Sequence, residues 1–337
     1  MSKPNIRLGL QIPSFTYPNV GTDNLFETIS DIAVTAENSG FDSVYVMDHF
    51  YQLPLIGRPE ENMFEAYTLL SAIAARTNTV KLGCMVGGMT YRNPAFLAKQ
   101  VSALDVISKG RAIWGIGAGW FEKEHLDYGY EFGTFTDRFE KLEEGLQIIK
   151  SMFVNETTTF HGKWFNVTDA LNAPKPVQAG GPPVLIGGGG EKKTLRMVAQ
   201  YADACNVFGG PEQMRHLMGV LDQHCADVGR DPAHIARAIN DPDFLRRVEE
   251  HTRPLYTTPR YFHTAGYWDE RGGIDTGFSG TANWWRACTS TTNQVGSSRL
   301  LFGSQYLWDG SNAVGSGYPA LTTSAVPTMA MGSLRLW

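Results

Sequence analysis

Short apolar runs alternate along this chain with segments whose apolar residues recur at helical spacing. Ile6 to Ile12 reads as a first strand. Leu25, Ile29, Ile32, Ala33 and Ala36 then share one face of a helix that Asp23 can cap and Ser39-Gly40 can end. Phe41 to Val46 is the second strand, and Glu65 to Ala75 repeats the helical pattern through Leu69, Leu70 and Ile73. Val80 to Val86 predicts a third strand, broken by Gly87-Gly88. Asn93-Pro94 supplies a cap and a proline at the first helical position, and Leu97, Val101, Leu104 and Ile107 follow until Gly110. Arg111 to Ile116 predicts the fourth strand.

An acidic and aromatic excursion, Phe121 to Thr136, precedes a helix over about Asp137 to Met152. The stretch from Phe153 to Val177 reads as a second excursion, with β-favouring residues around His161-Gly162 that suit a hairpin. Val184 to Ile186 enters as a buried strand, Gly187, Gly188, Gly189 and Gly190 follow, and Leu195, Val198, Ala199 and Ala202 share a helical face. Ala204 to Phe208 is the next strand, and Pro211 to about Val228 another helix. Alternating β and α units imply a parallel sheet with helices outside, which both doubly wound sheets and (β/α)8 barrels satisfy.

With 42% hydrophobic and 19% charged residues, the 337-residue chain has a globular composition. A net charge of -5 without any basic stripe gives no reason to expect a nucleic-acid partner. Cys84, Cys205, Cys225 and Cys288 show neither CxxC nor metal-ligand spacing, so no metal site is expected. The N-terminal residues carry no apolar signal region and no run approaches the length of a membrane span. A soluble, cytoplasmic protein without a membrane partner is the expectation.

The four glycines before the helix at Leu195 change the picture most. Glycines at a strand-to-helix junction let a ligand approach the backbone, and a helix start offers free N–H groups and a positive dipole end. Lys192 and Lys193 add cations there, where an anion would favour them. The stretch is either a phosphate cradle or a plain tight turn with two solvated lysines.

DHF at Asp48 to Phe50, TYRNPAFLAKQ at Thr90 to Gln100, and LDVISKGRAIWGIGAGWFEKEH at Leu104 to His125 form ordered blocks with RFEKLEEGLQIIKSMF at Arg138 to Phe153. Together with DALNAPKPVQAGGPPVLIGGGGEKKTLRMVAQYADACN they resemble the bacterial luciferase-like superfamily, and within it the actinobacterial oxidoreductases that use the deazaflavin coenzyme F420. The resemblance covers about Asn5 to Ala236. It implies a TIM-type barrel with the cofactor lying across the C-terminal ends of the strands, a small organic substrate, and the homodimers common in that family. FMN is the alternative cofactor, in a monooxygenase that uses reduced flavin and oxygen on the same scaffold.

On that resemblance Asp48 and His49 lie near the cofactor ring, with His49 as the catalytic candidate that bonds the ring or shuttles a proton. In similar enzymes a non-proline cis peptide bulges against the ring at the end of the third strand, which makes Val86-Gly87 or Gly87-Gly88 the candidates here. Gly115, Gly117 and Gly119 would let the strand-four backbone approach the ring, and Trp120 stands where a GxGxxG fingerprint needs its last glycine. Ala118 stands where some sugar-phosphate-oxidising relatives carry a glutamate proton donor, which argues against a sugar-phosphate substrate. Gly187 to Gly190 would hold the cofactor phosphate, with Lys192 and Arg196 as weaker candidates. Glu65 reads as a buried, hydrogen-bonded carboxylate, and His125 and Glu122 either line the substrate mouth or, the favoured reading, are surface residues of a mobile loop.

After about residue 239 the resemblance fails. Residues 240–337 carry few apolar runs, scattered Trp and Tyr, and a Ser/Thr/Gly-rich end. Diverged last strands, a lineage-specific appendage and a shifted reading frame all account for this, and the shifted frame is favoured. The barrel domain would then end at 239 with open sheet edges. A non-catalytic, truncated barrel is the corresponding functional alternative.

Overall fold

A computed structural model describes residues 7–54, 56–208, 211–240, 302–303 and 332–336. Strands β1 (Leu8–Ile12), β2 (Ser43–Val46) and β3 (Lys81–Cys84) alternate with helices α1 (Leu25–Asn38) and α2 (Ala66–Ala74). The two-residue β4 (Gly87–Gly88), α3 (Pro94–Ile107) and β5 (Ala112–Gly117) follow. Then come α4 (Glu122–Asp127), α5 (Phe135–Val154) and the strands β6 (Thr157–His161) and β7 (Asn166–Leu171). Next are β8 (Val184–Gly187), α6 (Thr194–Tyr201), β9 (Ala204–Phe208), α7 (Pro211–Asp227) and β10 (Ala236–Asn240). Two further strands, β11 (Phe302–Gly303) and β12 (Gly332–Leu336), lie beyond residue 240.

The main sheet runs in parallel through β1, β2, β3, β5, β8, β9 and β10. Side chains alternate across each strand, and the two faces build two clusters. Val44, Val46, Leu82, Trp114, Ile186 and Val207 face the helices and join their apolar stripes in the main core. Tyr45, Met85, Ile113, Leu185 and Ala204 face the other way and pack on one another inside the curl of the sheet. Burying each such Leu or Ile stabilises the fold by roughly 1.5–3 kcal/mol.

Local signals account for the helix ends. The Asn93 side chain accepts from the N–H groups of Ala95 and Phe96 at the start of α3. Thr134 and Asp137 form a reciprocal capping box at the start of α5. Gly40 and Gly110, at φ +84° and +85°, turn the chain out of α1 and α3. Asp23 does not cap α1: it lies in a 3-10 turn, Thr22–Asn24, and α1 starts after it. β6 and β7 pair antiparallel as the expected hairpin.

Two sequence expectations change. Ala236–Asn240 is a strand, paired parallel with β9, where none was expected after Ile235. The edges of β1 and β10, expected to be open, carry β12, which pairs antiparallel with Leu8 to Gln11 and, through Leu336, with Ile239. The remainder of 240–337, including Cys288, lies outside the described residues. Among those described, Cys84, Cys205 and Cys225 are free and buried, no acidic, His or Cys cluster could hold a metal ion, and no helix is long and apolar enough to cross a membrane.

Candidate functional site

A cavity of about 540 Å³ opens where the parallel strands end. Six of the parallel strands deliver part of its lining: Gln11 and Pro13 at and after β1, Met47 to His49 after β2, and Met85 to Gly88 after β3. Gly117 to Trp120 come from β5, Gly187 to Gly190 from β8, and Asn206 and Phe208 from β9. Barrel enzymes place their sites at this end, because the loops there converge on one mouth. Leu53, Pro54, Ile56, Phe135 and Phe139 make most of the remaining wall apolar.

The floor is shaped by a break in the third strand. The Met85–Val86 peptide bond is cis, one residue ahead of the two bonds expected. Its carbonyl accepts from Gln11 Nε2 at 3.1 Å, and Gly87 and Gly88 resume pairing with β5 as β4. The Val86 side chain fills the space between β5 and β8. A Cβ on Gly187 would stand 2.6 Å from a Val86 methyl, and one on Gly117 would stand 3.2 Å from it. At Gly115 a Cβ would fall 1.7 Å from the Cys84 carbonyl oxygen. These glycines are therefore explained by the neighbouring strand, where a ligand was the expectation.

Asp48 is buried under an ion pair. Its carboxylate accepts from Arg92 Nη1 and Nη2, at 2.6 and 2.8 Å, and from the Gly88 N–H at 3.2 Å. Arg92 also reaches Glu65 at 2.6 Å. Burial opposes the charge on Arg92, but Asp48 outweighs it and holds the guanidinium pKa above its usual range. Glu65 caps α2 through the Thr68 N–H and is part exposed instead of buried. The Asp48 carboxylate thus fixes β4 and the Tyr91–Arg92 turn.

His49 lines the cavity through a different carboxylate. Its Nδ1 lies 2.9 Å from Glu124 Oε2, which also accepts the Tyr91 hydroxyl at 2.9 Å. Glu124 Oε1 accepts the N–H groups of Phe50 and Tyr51 at 2.7 and 2.9 Å. Burial would raise the Glu124 pKa, yet these bonds together hold it below the usual carboxylate range. Next to it His125 is wholly buried, with Nδ1 2.8 Å from the Phe121 carbonyl oxygen and Nε2 2.6 Å from the Thr90 hydroxyl. Burial lowers the His125 pKa. Trp120, 62% exposed, stacks on Phe121 and meets the His49 ring edge-on at the rim.

The loop before α6 has a different character. Gly188 holds φ +121°, a conformation that side chains rarely adopt, and the nearest atom to a Cβ on Gly189 would be a Leu217 methyl at 3.4 Å. α6 starts without a side-chain cap, and Thr194 at its first position is buried and lines the cavity. Glycine backbone beside an uncapped helix start is the donor set that a phosphate takes. The residues present therefore fit the phosphate and ring of a flavin or deazaflavin. Lys192, Lys193 and Arg196 are not among the lining residues. Lys193 instead lies over the rings of Phe135 and Phe139.

A family model described as luciferase-like monooxygenase matches residues 6–304. The chain belongs to the luciferase-like family. The matched span runs past residue 240, where the resemblance read from the sequence ends. Over 174 residues the chain is 34% identical to an F420-dependent glucose-6-phosphate dehydrogenase of Amycolatopsis mediterranei, covering 51% of this chain and 49% of the relative. An enzyme of the same name from Microbacterium testaceum is 31% identical over 232 residues, covering 68% and 65%. The chain thus spans about half the length of the first of these curated relatives. Among solved structures, an F420-dependent secondary alcohol dehydrogenase superposes with a TM-score of 0.59 at 23% identity, covering 73% of this chain and 72% of that one. The F420-dependent tetrahydromethanopterin reductase of Methanopyrus kandleri gives 0.59 at 20%, covering 69% and 65%. Both likenesses are of fold.

Within this luciferase-like frame, Asp48, His49, Val86, Gly87, Gly88, Gly117, Ala118, Gly119 and Gly187 to Gly190 all line the one cavity. Glu122 and His125, expected in a loop, both lie in helix α4, where Glu122 is exposed and His125 buried, and neither is among the lining residues. Arg92, Tyr91 and Glu124 escaped the sequence reading. Their partners lie tens of residues away, and a buried carboxylate in EKEHLD looks like any solvated helix face.

Proposed function

We propose that this chain is an oxidoreductase that passes a hydride between coenzyme F420 and a small neutral organic substrate. The observation that carries the reading is the two-ended cavity. One end is glycine backbone at an uncapped helix start, and the other is an apolar, aromatic wall beside His49. Its support from relatives is that the similar glucose-6-phosphate dehydrogenases are named F420-dependent. When bound, a deazaflavin supplies two-electron hydride exchange, and the protein supplies binding, orientation and exclusion of water.

The N–H groups of Gly189, Gly190 and the turn that follows would hold the phosphate, since those of Gly188 and Leu195 already donate to the carbonyl oxygens of Asn206 and Gly190. Leu53, Pro54, Ile56 and Phe135 would keep water from the reacting carbon. His49 would hold or move a proton on the substrate oxygen. Among the described residues lining the cavity, Arg138 is the single Arg or Lys, and it already donates to the carbonyl oxygens of Gly119 and Gly133. With Ala118 also in the wall, the cavity favours a neutral alcohol or carbonyl compound over a phosphorylated sugar. The free, buried cysteines suit a reducing, cytoplasmic setting.

The test is an anaerobic absorbance assay of F420 with secondary alcohols and ketones, run beside glucose 6-phosphate. FMN with oxygen is run in parallel. Turnover of F420 with neutral compounds is expected. Turnover with FMN and oxygen alone would make the chain a monooxygenase, and turnover of glucose 6-phosphate alone would overturn the substrate class.

A further inference from the structure

Glu124 presents a hydrogen-bonding arrangement that decides the chemistry of its neighbour. Its side chain is fully buried in α4 and takes four contacts, two on each oxygen. On Oε1 both partners are backbone N–H groups, of Phe50 and Tyr51, which can only donate. On Oε2 the partners are the Tyr91 hydroxyl and His49 Nδ1. An ionised carboxylate offers about four acceptor sites and no donor, so this set is complete only when His49 carries its proton on Nδ1. Among the described residues no other carboxylate is bonded to the ring, and the rings of Trp120 and Phe121 meet it edge-on.

We propose that Glu124 is a positioning residue that fixes the His49 imidazole as the Nδ1–H tautomer and so leaves Nε2 as its hydrogen-bond acceptor. His49 lines the cavity, and Nε2 is the nitrogen left for a ligand hydroxyl. This defines a direction: neutral His49 accepts a proton at Nε2 from a bound alcohol, and once charged it returns that proton to a carbonyl oxygen. The catalytic consequence rests on the reading of His49 as the proton-handling group, but the tautomer does not. The same logic predicts what an amide would do. In Glu124→Gln the N–H groups of Phe50 and Tyr51 select the amide oxygen, so the amide nitrogen faces His49. That nitrogen donates to Nδ1, and the ring proton moves to Nε2.

The experiment is ¹⁵N NMR of the full-length, histidine-labelled protein without cofactor, at a pH where His49 is neutral, with His49→Asn to assign its signals. Expected is a protonated Nδ1 and an unprotonated Nε2 in the wild type, and the reverse in Glu124→Gln. Tyr91→Phe, which leaves the Glu124–His49 contact in place, keeps the wild-type pattern. A wild-type Nε2–H ring, an even mixture, or an unchanged pattern in a folded Glu124→Gln overturns the proposal. In the last case Glu124 merely ties down the Phe50–Tyr51 loop. If Glu124→Gln does not fold, the wild-type and Tyr91→Phe spectra decide. In the F420 assay the tautomer reversal lowers kcat by roughly tenfold or more with KM little changed. Failure of F420 turnover in the wild type would sink the functional reading and leave the tautomer result standing.

Discussion

Glycines serve two purposes on opposite sides of this cavity. Beneath it, Gly115, Gly117 and Gly187 make room for the protein itself, since the Cys84 carbonyl and the Val86 methyls occupy the places their Cβ atoms would need. Before α6, Gly188 and Gly189 face no such crowding: one is held at φ +121° and the other has only a Leu217 methyl at 3.4 Å. One set is a packing requirement of a kinked strand. The other turns the chain at Gly188, whose N–H donates to the Asn206 carbonyl, and leaves the side of Gly189 open to a ligand. Glycine-rich strand ends thus mark a binding site only where the neighbouring backbone does not already explain them.

The packed side should fail by unfolding and the open side by losing ligand. The largest effect is expected from Arg92→Met, which leaves Asp48 buried without its counter-charge and costs about 3–5 kcal/mol. Denaturant melts read this directly. Gly115→Ala should come next. Its clash is with backbone, which no rotamer change relieves, so the cost sits at the top of the roughly 1–3 kcal/mol typical of overpacking. Gly188→Ala should cost only about 1 kcal/mol, from the unfavourable backbone angle. It should nonetheless weaken cofactor binding, measured by fluorescence titration. If Gly188→Ala proved as damaging to stability as Gly115→Ala, the two sets of glycines would not differ in purpose.

Acid sharpens the same contrast, with the smallest effect. Burial depresses the folded pKa of His125 below its ordinary 6.5, so its contribution is complete above that value and is lost as pH falls through the folded pKa. Glu124 behaves alike from a lower start: burial opposes its charge, its donors prevail, and stability held above pH 4.5 is lost below it. Melting temperature should therefore begin to fall below about pH 6.5. His125→Gln should remove that first limb and leave the one below pH 4.5. Coincident pH profiles for the two proteins would contradict the assignment.

Most of the fold was legible because its helices and strands differ in period. The five residues expected on the α1 face are all buried, and Asn93-Pro94 starts α3 as its chemistry requires. β10 escaped because Ala236 to Asn240 is short and carries Arg237 within a weak apolar pattern. α4 escaped because its fully buried residues are Glu124 and His125, and hydropathy cannot distinguish a satisfied buried charge from a solvated one. At the site, the glycines and His49 stood out through residue type and position after strands. Their division into packing and open sets depends on Cys84 and Val86 coming across from another strand, and the break falls at Met85–Val86, inside what reads as continuous strand.

The central claim is that the open glycines before α6 hold a phosphate. The most direct test compares binding of F420 with binding of its phosphate-free deazariboflavin core, by fluorescence quenching of the wild type and of Gly188→Ala. The account predicts that wild type binds F420 at least about tenfold more tightly, the size of one or two charge-assisted hydrogen bonds, and that Gly188→Ala narrows this gap. Equal affinity of the wild type for both ligands would contradict it.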